Sequence, residues 1–150
     1  MIYTRLGTLE DVEAIAVLFD AYRQFYDQPP ALDVARNFIR QRIENLESDI
    51  LLATGVDGDV LGFCQLYPTF CSVAAKPIYT LYDLFVCPSA RRLGVGKALL
   101  LAAKGLSEKN GKARMDLTTA RTNLPAQAAY ELLGWVRDDI FMGYSMVIQA

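Results

Sequence analysis

The chain predicts an α/β fold in which helices cover both faces of a mixed, mainly antiparallel sheet. Two observations predict it. Apolar residues recur at helical spacing in four separate stretches, and β-branched, apolar runs with turn residues between them fill the remainder. With 150 residues, of which 53% are hydrophobic, the chain can bury roughly two-thirds of its unfolded surface, which suits a single domain spanning residues 1–150.

Ile2 to Leu6 reads as an opening strand, and Thr8 followed by Glu10 and Asp11 resembles a helix start. Val12, Ile15, Phe19 and Tyr22 then recur every three or four residues until Pro29-Pro30 forbids continuation. A second helix is expected from Leu32 to about Asn45. Ile50 to Val56 and Val60 to Tyr67 form a hairpin across Asp57-Gly58-Asp59. An irregular stretch from Pro68 to Pro77 leads to the strand Tyr79 to Val86. A glycine-containing turn precedes a helix from Val95, whose face carries Val95, Leu99, Ala102 and Leu106 and which stops near Asn110-Gly111. Ala113 to Thr119 is the next strand, Leu124 to Leu133 a short helix closed by Gly134, and Val136 to Ile148 a final strand pair around Gly143.

Composition excludes several function classes. The chain has no histidine, so mechanisms that need an imidazole titrating near neutrality are unavailable, including Ser-His-Asp hydrolysis and H-E-x-x-H zinc chemistry. Cys64, Cys71 and Cys87 are odd in number and lack C-x-x-C spacing, which fits neither a disulfide framework nor a zinc site, and no metal is expected. A formal net charge of -2 without a dense Lys/Arg block argues against nucleic acid as a partner. Apolar runs are too short to cross a bilayer and no charged-then-apolar leader opens the chain, so no membrane partner and a cytoplasmic location are expected.

The turn Arg91-Arg92-Leu93-Gly94-Val95-Gly96-Lys97 lies between a strand and an amphipathic helix. Such a turn holds phosphate: glycines let the backbone approach, and free N–H groups at the helix start face the anion. Arg91, Arg92 and Lys97 add positive charge. A purely structural tight turn with solvated basic residues is the alternative. Leu99 stands where the dinucleotide fingerprint needs glycine, and Ala98 where the Walker pattern needs Ser or Thr.

Arg91-x-x-Gly94-x-Gly96 after an apolar strand resembles the Q/R-x-x-G-x-G/A motif of the GNAT superfamily of N-acetyltransferases. Asp83-Leu84-Phe85-Val86 with Pro88 is similar to that family's central strand, and Asn123 through Ala129-Tyr130 to Gly134-Trp135 to its later N-x-x-A-x-x-x-Y-x-x-x-G-[FW] segment. A weaker likeness over residues 67–72 and 81–86 points to small diamine and polyamine acetyltransferases. The resemblance implies an acetyl-CoA-dependent transfer to a primary amine of a small molecule. It also implies that backbone amides from Arg92 to Lys97, with Arg91, hold the pyrophosphate of acetyl-CoA, that pantetheine pairs along Leu84, Phe85 and Val86, and that Asn123 makes a cofactor or helix-capping contact. On this basis the backbone freedom of Gly94 and Gly96 matters more than the side chain of Lys97.

A lysine-like amine has a pKa of about 10.4 and must lose a proton before it attacks a thioester. Asp83, alone or through a water shared with Tyr82, is the candidate base; its alternative is a carboxylate capping backbone or pairing with arginine. Tyr130 fills the place of the acid that protonates the leaving thiolate, whereas without the resemblance it reads as a packing residue. The oxyanion falls to a main-chain N–H near Val86. Tyr22, Tyr26, Tyr67 and Phe70 form a candidate aromatic wall for the amine, with Asp20 or Asp27 to attract its charge; the alternative is plain core packing. The resemblance also implies a homodimer built on the later strands near Phe141 to Met146. A non-catalytic acyl-CoA sensor on the same fold, or a mononucleotide-binding domain, are the rival readings.

Overall fold

The computed structural model describes residues 1–149 and contains two units, Met1–Thr118 and a second beginning at Thr119. In the first unit, β1 (Tyr3–Leu6), β2 (Asp49–Thr54), β3 (Val60–Cys71), β4 (Lys76–Val86) and β5 (Met115–Asp116) form a sheet in the order β1-β2-β3-β4-β5. Every pairing is antiparallel except β4 with β5. Helices α1 (Val12–Phe25) and α2 (Leu32–Glu44) cover one face, and α3 (Val95–Lys109) the other.

Periodicity explains the two faces. Ile15, Phe19, Ala35 and Ile39 pack from α1 and α2 onto Ile50, Leu52, Phe63 and Phe85 of alternating strand positions. On the other side, Val95 and Leu99 of α3 lie so close to the sheet that a Cβ on Gly62 would meet them at 3.1 and 3.3 Å. The buried face of α3 carries Val95, Leu99, Leu100 and Ala103, while Ala102 and Leu106 are half-buried, so the stripe is rotated from the expected one. Thr8 caps a 3₁₀ turn, Leu9–Asp11, that leads into α1: its backbone N–H donates to the Asp11 carboxylate at 2.8 Å.

Two expectations about this sheet are corrected. The stretch from Pro68 to Pro77 is not irregular, because β3 continues to Cys71 and β4 begins at Lys76, pairing Pro68 with Tyr79 and Phe70 with Pro77. Pro68 is tolerated because the β2 ladder has already ended at Leu66, so its missing N–H costs no bond on that side. The strand expected over 113–119 shrinks to Met115–Asp116.

In the second unit, α4 (Leu124–Leu132) forms as expected, but residues 136–148 form no strand. The Asp138 carboxylate accepts the backbone N–H groups of Ile140 and Phe141 at 2.9 and 3.0 Å. A side chain that captures consecutive amides sets a local turn in place of a ladder.

Candidate functional site

A one-residue irregularity in β4 builds the site. Gln65 pairs with Asp83, yet the next residue of β3, Leu66, pairs with Leu81, so Tyr82 is the extra residue of a bulge. Because side chains alternate, that insertion reverses the faces along β4. Leu81 belongs with Leu66 on the α3 side, whereas Asp83 lies with Phe85 on the α1/α2 side. Tyr82 is 68% exposed and Asp83 only 5%.

Asp83 is thus a buried carboxyl group. Its Oδ2 accepts Gln65 Nε2 at 2.8 Å, and the Tyr22 hydroxyl of α1 faces it while donating to the Tyr82 carbonyl at 3.4 Å. Burial raises the Asp83 pKa above the ordinary carboxylate value, with the Gln65 and Tyr22 hydrogen bonds opposing that rise. Burial, reinforced by the charge of Asp83, pushes Tyr22 upward and Tyr67 up to about 12.

Around this carboxyl the rings assemble. Tyr22 meets Tyr26 edge-on with centroids 5.2 Å apart, and Tyr67 meets Tyr82 edge-on at 5.6 Å. Tyr22 also packs on Phe63 and Phe85 at 6.2 and 6.1 Å, so it is both core and site wall. Phe70 does not join them: opposite Pro77, it lies five positions along β3 from Gln65, roughly 16 Å at strand rise. Asp20 is also lost to the site, since its carboxylate accepts Gln24 Nε2 at 3.1 Å and the Ala31 amide at 2.9 Å and so ties down the loop between α1 and α2. Asp27 occupies that loop with a left-handed φ of 63°.

The far edge of β4 is open. Its parallel ladder to β5 consists of Tyr79 with Met115 and Thr80 with Asp116, so residues 81–86 have no strand partner on that side among the described residues. Such an edge can pair with an extended, amide-bearing ligand. It leads towards the α3 N-terminus, where Val86 Cγ2 lies 3.9 Å from a Cβ built on Gly96. Gly94 caps α3 with φ 86°, and Arg92 also has a left-handed φ of 64°. The first intrahelical bond runs from Ala98 N–H to the Gly94 carbonyl, which leaves the amides of Val95, Gly96 and Lys97 outside the helical ladder. This cradle fits a pyrophosphate and the edge fits pantetheine. Of the two glycines only Gly94 needs its backbone freedom; Gly96 is an ordinary helical residue, which corrects the sequence expectation.

Arg91 has a more specific place than a general positive charge. Its Nε donates to the Val86 carbonyl at 3.2 Å and its guanidinium lies 5.5 Å from the Phe85 ring centre, pinning the turn to the end of β4. Arg92, Leu93 and Lys97 are exposed, and neither basic residue makes an ion pair among the described residues. The Cys87 amide is already bonded to the Leu61 carbonyl at 2.8 Å, so an oxyanion near Val86 must use an amide of β4 itself.

In the second unit Asn123 is an N-cap, its Oδ1 accepting the Ala126 amide at 3.3 Å. Tyr130 sits on α4 with its ring 6.1 Å from that of Trp135, whose amide donates to the Tyr130 carbonyl at 3.1 Å.

Sequence reasoning missed Gln65, which is fully buried beside Asp83. Its signal was available: a polar side chain on the buried face of an apolar strand, the same anomaly that singled out Asp83. The bulge carried no signal, since Leu81-Tyr82-Asp83 reads the same with or without it. Among the described residues no helix is long and apolar enough to cross a membrane, and no group of three or more His, Cys, Asp or Glu is placed to hold a metal ion.

Comparison with known proteins bears on the family and the fold. The family description Acetyltransferase (GNAT) family matches residues 13–135. An uncharacterized N-acetyltransferase of Bacillus subtilis (strain 168) is 44% identical over 146 residues, 97% of either chain. The aminoglycoside N(6')-acetyltransferase type 1 of Klebsiella aerogenes is 33% identical over 90 residues, 57% of this chain and 58% of that one. A crystal structure described as a probable acetyltransferase superposes with a TM-score of 0.91 at 36% identity, covering 100% of this chain and 99% of the other. The chain belongs to the GNAT family of acetyltransferases, whose co-substrate is acetyl-CoA, and is an N-acetyltransferase.

Proposed function

We propose that the protein transfers the acetyl group of acetyl-CoA to a primary amine of a small molecule, with Asp83 taking the proton from the attacking nitrogen. The observation that carries this reading is the position of Asp83: a buried carboxyl group with a raised pKa, walled by Tyr22, Tyr67 and Tyr82, on the strand whose outer edge is open. A raised pKa brings a carboxylate closer to the amine it must deprotonate, which improves it as a base.

The nitrogen forms a bond to the thioester carbonyl carbon as its proton passes to Asp83, and the carbon–sulfur bond then breaks. Tyr130 is the proposed donor of the proton that the leaving thiolate takes up, supported by its place in the family's sequence pattern. Backbone amides of Val95, Gly96 and Lys97 hold the pyrophosphate, and residues 84–86 align the pantetheine. Aromatic faces favour an ammonium on an apolar stem as it arrives, which is why the acceptor is placed among polyamine-like and other small amines. The aminoglycoside acetyltransferase among the relatives supports a small-molecule acceptor. A homodimer is proposed on the family resemblance and is tested by light scattering.

The decisive experiment is acetyl-CoA-dependent thiol release with polyamines, amino acids, aminoglycosides and lysine peptides, alongside calorimetric titration of acetyl-CoA. Selective turnover of a small amine supports the proposal. Turnover confined to lysine peptides refutes the acceptor class, and absence of acetyl-CoA binding refutes the cofactor site.

A further inference from the structure

We infer that Gln65, held in turn by Ser48, is a positioning residue that sets the basicity of Asp83 and fixes which of its oxygens receives the proton. The inference rests on Asp83 being the base. Ser48, in the connection between α2 and β2, donates from Oγ to Gln65 Oε1 at 2.7 Å, and Gln65 Nε2 donates to Asp83 Oδ2 at 2.8 Å. Gln65 has no exposed surface, so its amide has no water to fall back on, and each end of it depends on one of these two partners. No part of the family's motifs covers either residue.

The chain of bonds has a direction. An ionised carboxylate only accepts hydrogen bonds, so it requires the NH₂ end of the amide, and that orientation turns the carbonyl end to Ser48, whose hydroxyl can donate. A hydrogen bond to the charged form favours that form, so Gln65 holds down a pKa that burial drives up. With Oδ2 occupied by Gln65, Oδ1 is the oxygen outside that bond and the one that takes the acceptor's proton. After proton transfer to Oδ1, Oδ2 still accepts from the Gln65 NH₂, so the amide keeps its orientation and the Ser48 hydroxyl keeps donating to its carbonyl. A hydroxyl at position 48 serves both states, which an apolar residue would not.

The other titratable groups around Asp83 are Tyr22 from α1, Tyr67 from β3 and Tyr82 beside it on β4, with Cys64 on the opposite face of β3. Cys64 and Tyr67 are pushed up to about 12 and Tyr22 higher still, so these three stay neutral while Asp83 titrates.

The test is a carboxyl ¹³C titration of the aspartate-labelled full chain without ligand, with the Asp83 resonance identified by its loss in Asp83→Asn. Gln65→Leu removes the donor and is expected to raise the Asp83 pKa by about one to two units, the effect of a lost hydrogen bond to a charged group. Ser48→Ala, which leaves the core untouched, is expected to raise it by a smaller amount, and Ser48→Thr, which keeps the hydroxyl, to restore the native value. An Asp83 titration unmoved in both Gln65→Leu and Ser48→Ala overturns the inference. Should Gln65→Leu fail to fold, an unmoved titration in Ser48→Ala alone overturns it. Failure of the underlying reading is seen separately, as unchanged turnover in Asp83→Asn.

Discussion

Gly94 and Gly96 stand in one turn, yet alanine at each should move the protein in opposite directions. Gly94 has φ 86°, and a Cβ built on it meets no atom within 4 Å, so the cost of Gly94→Ala is conformational alone. Holding an L-residue in the left-handed region costs roughly 1–2 kcal/mol, which for a chain of this length lowers Tm by about 2–8 °C. Gly96 is helical and its added Cβ meets Val86 Cγ2 at an ordinary 3.9 Å. Gly96→Ala therefore removes the entropic cost of glycine in a helix and raises Tm by about 1–4 °C. Affinity distinguishes the two further. If the Gly94→Ala turn keeps its shape without ligand, the whole cost appears in Tm; if it relaxes, the cost is deferred to binding and weakens the acetyl-CoA Kd by roughly 5–30-fold. Calorimetric Kd and Tm measured on the same samples must together account for the cost. An unchanged Tm with an unchanged Kd in Gly94→Ala would show that this φ is not required, and a lower Tm in Gly96→Ala would refute the assignment of an unstrained helix start.

Asp83→Asn is expected to lower turnover by roughly 10²–10⁴-fold with acetyl-CoA affinity unchanged. Because the folded pKa of Asp83 is raised, the native state binds more protons than the unfolded one between the ordinary carboxylate value and that raised value; stability falls as pH rises through this window, and Asp83→Asn should remove the fall in urea-unfolding curves. Gly62→Ala places a Cβ 2.8 Å from the Phe85 carbonyl oxygen and 3.1 Å from Val95 Cγ1, so it forces α3 off the sheet; a loss of about 1–3 kcal/mol is expected in denaturant titration. Tyr130→Phe should keep acetyl-CoA affinity and reduce turnover by roughly 10–10³-fold, and unchanged turnover removes Tyr130 from the chemistry.

The helices were legible in the sequence because each carries its own evidence: Val12, Ile15 and Phe19 mark the α1 face at helical spacing, and Gly111 and Gly134, both with positive φ, mark the ends of α3 and α4. The glycine turn was legible for the same reason, being punctuated locally. What escaped was whatever depends on a neighbouring strand. Pro68 looks like a strand breaker until it is known that β2 stops at Leu66, and residues 136–148 look like strands until Asp138 is seen to capture the amides of Ile140 and Phe141. Phe70 and Tyr67 are equally aromatic, but only their register separates the one opposite Pro77 from the one beside Tyr82.

Strand β4 serves two partners without conflict. A strand meets its neighbours through its edges and its layers through its faces, and these directions are perpendicular. On β4 the edge beyond Thr80 is backbone, so acetyl-CoA can be held there with little demand on side-chain identity, while the face carries Asp83 and the rings proposed to meet the amine. On the proposed function, substitutions at Tyr26 or Tyr67 are expected to change the acceptor and leave the cofactor edge intact. Asp83 has no such freedom. Were Tyr82 deleted, the ladder would become regular, with Leu81 still opposite Leu66 and Asp83 still opposite Gln65, so the bulge adds the exposed Tyr82 ring beside Tyr67 and does not set the face of Asp83. The carboxyl group is held on the α1/α2 face by its register opposite Gln65, and the inserted residue contributes only a ring to the wall around it.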